Sequence, residues 1–244
     1  MARITAWIMA LLIFGLAGPR GLAAGEHDPG SVTAAEAWRM LREGNERFAR
    51  NMSLRPHSDL ERRIELSKSQ HPFAIVLSCS DSRLPPELIF DAGLGDLFAI
   101  RVAGNAASGD MVLGSIEYAV EHLGAKLILV LGHQKCGAVT AAVAGMKPDD
   151  KSSVDDLLKH LRAPVREAKD KVGDLKKNEV LDEAIEKNTI YQIKELLQHS
   201  PAVKERVETG EVLVVGGVYS LDNGKVQWIG EHPSKKEVLE NKKP

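Results

Sequence analysis

Apolar and polar residues are arranged along this chain so that short apolar stretches alternate with helical patterns. Continuous apolar runs at 73–77 and 127–131 are typical of parallel strands buried on both faces of a sheet, and a mainly apolar run at 97–102 predicts a further strand. Apolar residues then recur at helical spacing over 112–123. This alternation predicts an α/β fold with a central, mostly parallel β-sheet flanked by helices.

The segments on either side of this core also have readable patterns. Thr33 and Glu36 form a capping box that predicts a helix start, and the apolar face that follows is expected to pack on the fold or on a second subunit. The charged region 147–209 predicts a solvated helical connector without chemistry of its own. A strand at 211–218 and a turn at 222–224 predict a hairpin, followed by a lysine-rich tail that is expected to be frayed.

The first residues have the pattern of an export signal. Arg3 precedes an apolar stretch at 4–17, and a Gly-Pro break and small residues suitable for cleavage follow. The sequence therefore predicts a signal peptide at 1–24, a single domain at 25–244, and a periplasmic or secreted protein that meets the membrane only during export. An uncleaved anchor is the alternative, but the stretch is shorter than the roughly 20 apolar residues that a membrane span needs.

Composition and charge narrow the class of protein. The chain has 244 residues, 43% of them apolar, which is long enough for one substantial α/β domain. Its formal net charge is −2 with both signs mixed throughout. Because no basic stripe is present in the sequence, we expect no nucleic-acid partner and favour a small or neutral one.

Two short cassettes directly follow predicted strands and contain both cysteines of the chain. They are Cys79-Ser80-Asp81-Ser82-Arg83 and Gly132-His133-Gln134-Lys135-Cys136-Gly137. In a parallel sheet both lie beyond the carboxyl ends of strands, where ligands gather. Two thiolates, an imidazole and a carboxylate form a zinc ligand set of the catalytic kind. The alternative is a disulfide formed in an oxidising compartment, but a disulfide gives no reason for Asp81, Arg83 and His133 at these spacings.

Asp81 has two possible roles in such a site. It can fill the fourth position on the metal, which closes the site, or it can pair with Arg83 and accept a hydrogen bond from bound water. Arg83 is the natural competitor for the carboxylate, because a guanidinium holds a carboxylate at two points.

The two cassettes, together with Arg101-Val102-Ala103-Gly104-Asn105, resemble the signature blocks of the β-class carbonic anhydrases in order and spacing. The resemblance extends over about residues 38–229. It implies a zinc enzyme that interconverts carbon dioxide and bicarbonate by attack of zinc-bound hydroxide.

The resemblance also implies roles for single residues and a state of assembly. One zinc ion per subunit is held by Cys79, His133 and Cys136, with Asp81 and Arg83 as the gating pair. The amide of Gly137 is a candidate contact for a substrate oxygen. Members of this family are usually homodimers or assemblies of dimers, with the site near the subunit boundary.

One departure from the family pattern concerns inhibition. A bicarbonate-inhibited subgroup has tryptophan three residues before the first ligand cysteine, where this chain has Val76. We therefore expect that bicarbonate does not lock this enzyme through that pocket, although Arg101 matches the arginine used there.

Two other functions stay open at this point. The same metal ligands could serve a hydrolase of carbonyl sulfide or carbon disulfide, since the width of the pocket decides between these substrates. An exported zinc-binding or disulfide-stabilised module without turnover is the alternative outside enzymes.

Overall fold

The computed structural model describes residues 32–146, 152–173 and 177–240, and the predicted signal peptide lies outside them. Within these residues the strands are β1 (Ala74–Ser78), β2 (Leu97–Arg101), β3 (Leu127–His133), β4 (Leu213–Tyr219) and β5 (Val226–Gly230). The helices are α1 (Ala34–Ala49), α2 (Leu60–Leu66), α3 (Pro86–Ile89), α4 (Asp110–His122), α5 (Gly137–Val143), α6 (Ser153–Lys159), α7 (Arg162–Val172), α8 (Lys177–His199), α9 (Pro201–Glu208) and α10 (Lys235–Glu240).

The strands form one five-stranded sheet in the order β2-β1-β3-β4-β5. The first four are mutually parallel, and β5 pairs with β4 in the antiparallel sense as the predicted hairpin. The chain leaves β1 toward β2 on one side and returns to β3 on the other. The strand order therefore reverses beside β1, and the crevice at such a reversal is where open α/β sheets bind ligands.

Successive residues of the central strands point to opposite faces of the sheet, so each of these strands contributes residues to two hydrophobic cores. In β1, Val76 belongs to the core that contains α1, α5, α6 and α7. Ile75 and Leu77 belong to the core that contains α4, α9 and α10. All five residues of β1 and all seven of β3 are buried. This explains why both sequences are apolar without alternation.

The prediction that 147–209 is a solvated connector is wrong, because each of its described helices, α6 to α9, buries residues in the two cores. The prediction that this segment has no chemistry of its own stays a prediction. Helix α8 contributes Ile185 to one core and Ile193 to the other, and it packs directly against β3 and β4. Its polar residues Asn188, Thr189 and Gln192 are no more than 1% exposed. Polar side chains on a charged helix usually face solvent, whereas these are buried and hydrogen-bonded.

The first and the last described helices bear on two predictions, one for the start of α1 and one for the lysine-rich tail. The Thr33 side chain accepts a hydrogen bond from the Glu36 amide at 3.2 Å, which confirms the predicted start of α1. The tail is not frayed at Lys235, because it forms α10 and buries Val238 against the second core. No helix in the described part of the chain is long and apolar enough to cross a membrane.

Candidate metal centre

The predicted metal ligands come together at the carboxyl end of the sheet. Cys79 directly follows β1, His133 is the last residue of β3, and Cys136 caps α5. Because β1 and β3 are adjacent and parallel, their ends place the two cassettes side by side. One ligand atom from each residue lies within 4.8 Å of the others, and all three residues are buried. Both cysteines are free thiols, so the structure does not contain the alternative disulfide.

His133 presents one ring nitrogen in the form that binds a metal. Its Nδ1 lies 2.9 Å from the carbonyl oxygen of Gln134. A carbonyl only accepts hydrogen bonds, so Nδ1 carries the proton and Nε2 keeps its lone pair. Nε2 is buried and has no hydrogen-bond partner among the described residues. A free lone pair beside two thiols fits zinc, and one histidine with two cysteines is the donor set of a catalytic zinc with an open position.

The pKa values of the two thiols in the cluster are shifted in opposite directions. The neighbouring Cys136 thiol, and to a smaller extent the Gly104 amide, lower the pKa of Cys79 below its ordinary value. The pKa of Cys136 is raised, because Cys79 lies beside it and because the thiol is buried. A cluster that already stabilises one thiolate is prepared to receive a cation.

Asp81 is held by Arg83 at two points. Arg83 Nε donates to Asp81 Oδ1 at 2.8 Å, and Nη2 donates to Oδ2 at 2.7 Å. The Arg83 backbone amide adds a bond to Oδ1 at 3.0 Å. The Arg83 side chain is the main reason that the pKa of Asp81 lies well below its usual range. The carboxylate is not part of the ligand cluster, so this structure shows the paired form, and a fourth-ligand role for Asp81 stays a prediction.

Arg101 fixes the backbone of the first cassette from the neighbouring strand. Its Nη2 donates to the Asp81 carbonyl at 2.7 Å, and its Nε donates to the Cys79 carbonyl at 3.3 Å. Val76 is wholly buried within β1. The expectation that bicarbonate does not lock the site stays a prediction.

The second cassette is held by the connection between β4 and β5. The Oε1 atom of Gln134 accepts hydrogen bonds from Ser220 Oγ at 3.0 Å and from the Leu221 amide at 3.1 Å. The same residue provides the carbonyl that receives the His133 proton. The orientation of the imidazole therefore depends on contacts with a distant part of the chain.

The residues of this site lie within a stretch that matches a known family. Residues 74–226 match the family described as carbonic anhydrase. This chain belongs to the carbonic anhydrase family. Carbonic anhydrase 2 of Mycobacterium tuberculosis is 38% identical to it over 191 residues, which cover 78% of this chain and 89% of that relative. The carbonic anhydrase of Mycolicibacterium smegmatis is 36% identical over 193 residues, which cover 78% of this chain and 91% of that relative.

Solved structures of β-carbonic anhydrases have the same fold. One from Aspergillus fumigatus is similar with a TM-score of 0.66 and 30% identity, and the match covers 80% of this chain and 91% of that chain. One from Coccomyxa has a TM-score of 0.64 at 26% identity, covering 77% of this chain and 83% of that chain. This carbonic anhydrase is therefore of the β class, a zinc enzyme that hydrates carbon dioxide reversibly. The predicted fold class, reaction and cofactor are confirmed.

Sequence reasoning missed the polar residues of α8 that support the carbonic anhydrase site. Asn188 and Gln192 are buried and bond to the loop after β2. The signal was present in the spacing, because positions 185, 188, 189, 192, 193 and 196 form one helical face. Polar residues within a buried face are expected to have specific partners.

Proposed function

We propose that carbon dioxide is hydrated at a centre where Cys79, His133 and Cys136 hold zinc, and that Asp81 and Arg83 form its gate. The observation that carries the proposal is the two-point contact between Arg83 and Asp81, close to the ligand cluster in sequence and at the same end of the sheet. When bound, zinc supplies a Lewis acid that makes water nucleophilic near neutral pH.

Asp81 acts as a fixed hydrogen-bond acceptor in this scheme. Its depressed pKa keeps it ionised at working pH, so its oxygens accept hydrogen bonds and cannot donate them. Arg83 fills both acceptor positions of Oδ1 and one of Oδ2. The remaining lone pair of Oδ2 can accept a hydrogen bond from the attacking water and orient the water oxygen toward carbon dioxide. The Gly137 amide, at the start of α5, stays a candidate contact for a substrate oxygen.

Arg83 has an electrostatic role as well as a geometric one. Two cysteine thiolates cancel the charge of the metal, so any further negative charge at the centre needs a nearby cation. Asp81, and to a smaller extent Cys136 and Cys79, raise the pKa of Arg83. Loss of the guanidinium would also release the Asp81 carboxylate, which could then close the open ligand position.

Stopped-flow hydration of carbon dioxide with a pH indicator, on protein of known zinc content, tests this gate. Asp81→Asn keeps the shape but removes the acceptor, and Arg83→Ala frees the carboxylate. We expect each to lower kcat/KM by roughly 10- to 100-fold with zinc content retained, the scale found for groups that orient a metal site. Arg83→Ala should lose most at low pH, where hydroxide competes least with the released carboxylate.

Glu43→Gln is the matched control for this experiment. Glu43 also accepts two hydrogen bonds from an arginine, Arg39, but on the exposed face of α1. Its loss should leave turnover unchanged, because exposed pairs of this type contribute little. Unchanged turnover in both Asp81→Asn and Arg83→Ala would remove the proposed gate.

We also propose that the enzyme is a homodimer or an assembly of dimers. A related β-carbonic anhydrase from Sordaria macrospora, 27% identical, is described as tetrameric. In this chain β2 is an edge strand, and the segments around it expose Leu54, Leu88 and Leu94 at 60%, 59% and 44%. Sedimentation equilibrium should give a mass of at least two chains, and a monomer at assay concentration would contradict the proposal.

The proposed location is the periplasm or the exterior of the cell, after removal of residues 1–24. The support is the charged start and the apolar stretch of the N-terminal sequence. Mass spectrometry of the protein from the periplasmic fraction should show a new N-terminus near Gly25. An intact N-terminus in the cytoplasmic fraction would overturn this location.

A further inference from the structure

The loop after β2 places a backbone donor on the Cys79 sulfur. The Gly104 N–H lies 3.4 Å from Cys79 Sγ, a distance suited to an N–H···S hydrogen bond. Gly104 has φ +72° and Asn105 has φ +46°, so two successive residues have left-handed backbone. Such a conformation is unfavourable for a residue other than glycine and persists only where the surroundings hold it.

Two buried amides of α8 hold this loop. Asn188 Nδ2 donates to the Gly104 carbonyl at 2.9 Å and to Asn105 Oδ1 at 3.4 Å. Gln192 Nε2 donates to Asn188 Oδ1 at 2.9 Å, and Gln192 Oε1 accepts from the Ala107 amide at 2.8 Å. Because the Asn188 oxygen is occupied by Gln192, its nitrogen must face the loop.

We propose that Asn188 and Gln192 are positioning residues that aim the Gly104 N–H at the Cys79 thiolate, and so tune the metal centre. This inference rests on the ligand set proposed above. An N–H donor withdraws charge from the sulfur that it contacts, so the metal held by that sulfur is a stronger Lewis acid. The chain thereby offsets part of the charge that two thiolates donate.

The alternative is that the two amides only stabilise the fold. Asn45 provides a matched control, since it is also a buried asparagine that bonds to backbone groups. Its amide contacts the Ile89 and Gly224 carbonyls and the Val226 amide, and none of these residues is a proposed ligand or a neighbour of one in sequence. Asn188→Ala and Asn45→Ala therefore remove the same side chain from two buried networks, of which only one reaches Gly104.

The primary test is the thiolate-to-metal charge-transfer absorption of cobalt(II)-substituted protein, measured together with Tm. In Asn188→Ala the band should move to longer wavelength, because a sulfur without its donor holds its electrons less tightly. The pH midpoint of carbon dioxide hydration should rise by about 1 unit, and kcat/KM at neutral pH should fall about tenfold. Asn45→Ala should lower Tm but move the band and the midpoint much less than Asn188→Ala does, because Asn45 bonds to Gly224 and Val226 and not to Ser220 and Leu221, the residues that hold Gln134.

Gln192→Leu is a second test of the proposal. This variant keeps Asn188 but removes the hydrogen bond from Gln192 that orients the Asn188 amide. It should shift the band and midpoint in the same direction, and the double variant should shift less than the sum of the single variants, since Gln192 acts through Asn188. An unmoved band and midpoint in Asn188→Ala, or in Gln192→Leu if the first variant does not fold, would overturn the proposal. Absence of a thiolate band from the parent protein would overturn the ligand set itself, and this inference with it.

Discussion

Helix α8 packs close to the metal centre at Gly132. Gly132 directly precedes the ligand His133 and faces Thr189 of α8. A Cβ atom at position 132 would overlap Thr189 Oγ1, whereas the next nearest atoms, Cγ2 and the carbonyl oxygen of Ile185, would be at ordinary contact distances of 3.5 and 3.6 Å. The overlap at this position is therefore confined to one atom of one side chain.

Gly132→Ala should lower the free energy of unfolding by about 2 kcal/mol, the middle of the range for overpacking a tight core. For a chain of this size that corresponds to a fall in Tm of roughly 4–8 °C. Zinc affinity should also fall, because a shift of the strand that relieves the overlap displaces His133, the next residue. Thermal unfolding followed by circular dichroism, with zinc titration, measures both effects. Gly114→Ala is the control, because that exposed helical glycine has no atom within 4 Å of a built Cβ and should gain stability.

The double variant Gly132→Ala with Thr189→Ala isolates the contact. Thr189→Ala alone should cost about 1–2 kcal/mol, since it removes a buried methyl group and the hydrogen bond from Oγ1 to the Ile185 carbonyl. It also removes the overlapping atom, so the double variant should be more stable than the sum of the two single losses predicts. Simple additivity would refute the reasoning, because the cost at Gly132 would then have another cause.

Two further predictions concern stability at acid pH and removal of the metal. Burial opposes ionisation of Asp91, but hydrogen bonds from Arg47 and from the Leu54 and Arg55 amides outweigh it, so its pKa is lowered. The stability that Asp91 contributes is complete above the unfolded pKa of about 4 and is lost as the pH falls toward the lower folded value. Asp91→Asn should therefore flatten the acid limb of a Tm-against-pH curve, and an unchanged limb would contradict this role. Chelation of zinc should lower Tm reversibly, and a Tm indifferent to zinc would count against the cluster as its site.

The local pattern of apolar residues was sufficient to predict those strands whose structure is determined by their own segment of sequence. The runs that became β1 and β3 are apolar because both faces of these strands are buried, and the cassettes lie where those strands end. The predicted end of β3 was two residues short, because Gly132 and His133 continue the pairing with Val218 and Tyr219 of β4. That continuation depends on a partner far along the chain, which local hydrophobicity does not record.

The buried polar residues of α8 that hold the site could not be predicted from the local sequence in the same way. Asparagine and glutamine on a charged helix are usually solvated, so the pattern favoured a connector. Only the packed fold shows that Asn188 meets the Gly104 carbonyl and that Gln192 meets the Ala107 amide. The interrupted apolar face of α8 indicated burial, but the identity of the partners required the tertiary structure.

Helix α8 links the two halves of the metal centre. Asn188 holds the loop that donates to Cys79, and Thr189 packs on the glycine before His133. These contacts are made by the protein itself, in a fold whose two cores bury both faces of the sheet. Small zinc domains fold only with their metal because they lack such a core. Here the ligands are placed by packing, so loss of zinc should cost stability while the fold persists, and zinc should rebind without refolding of the chain.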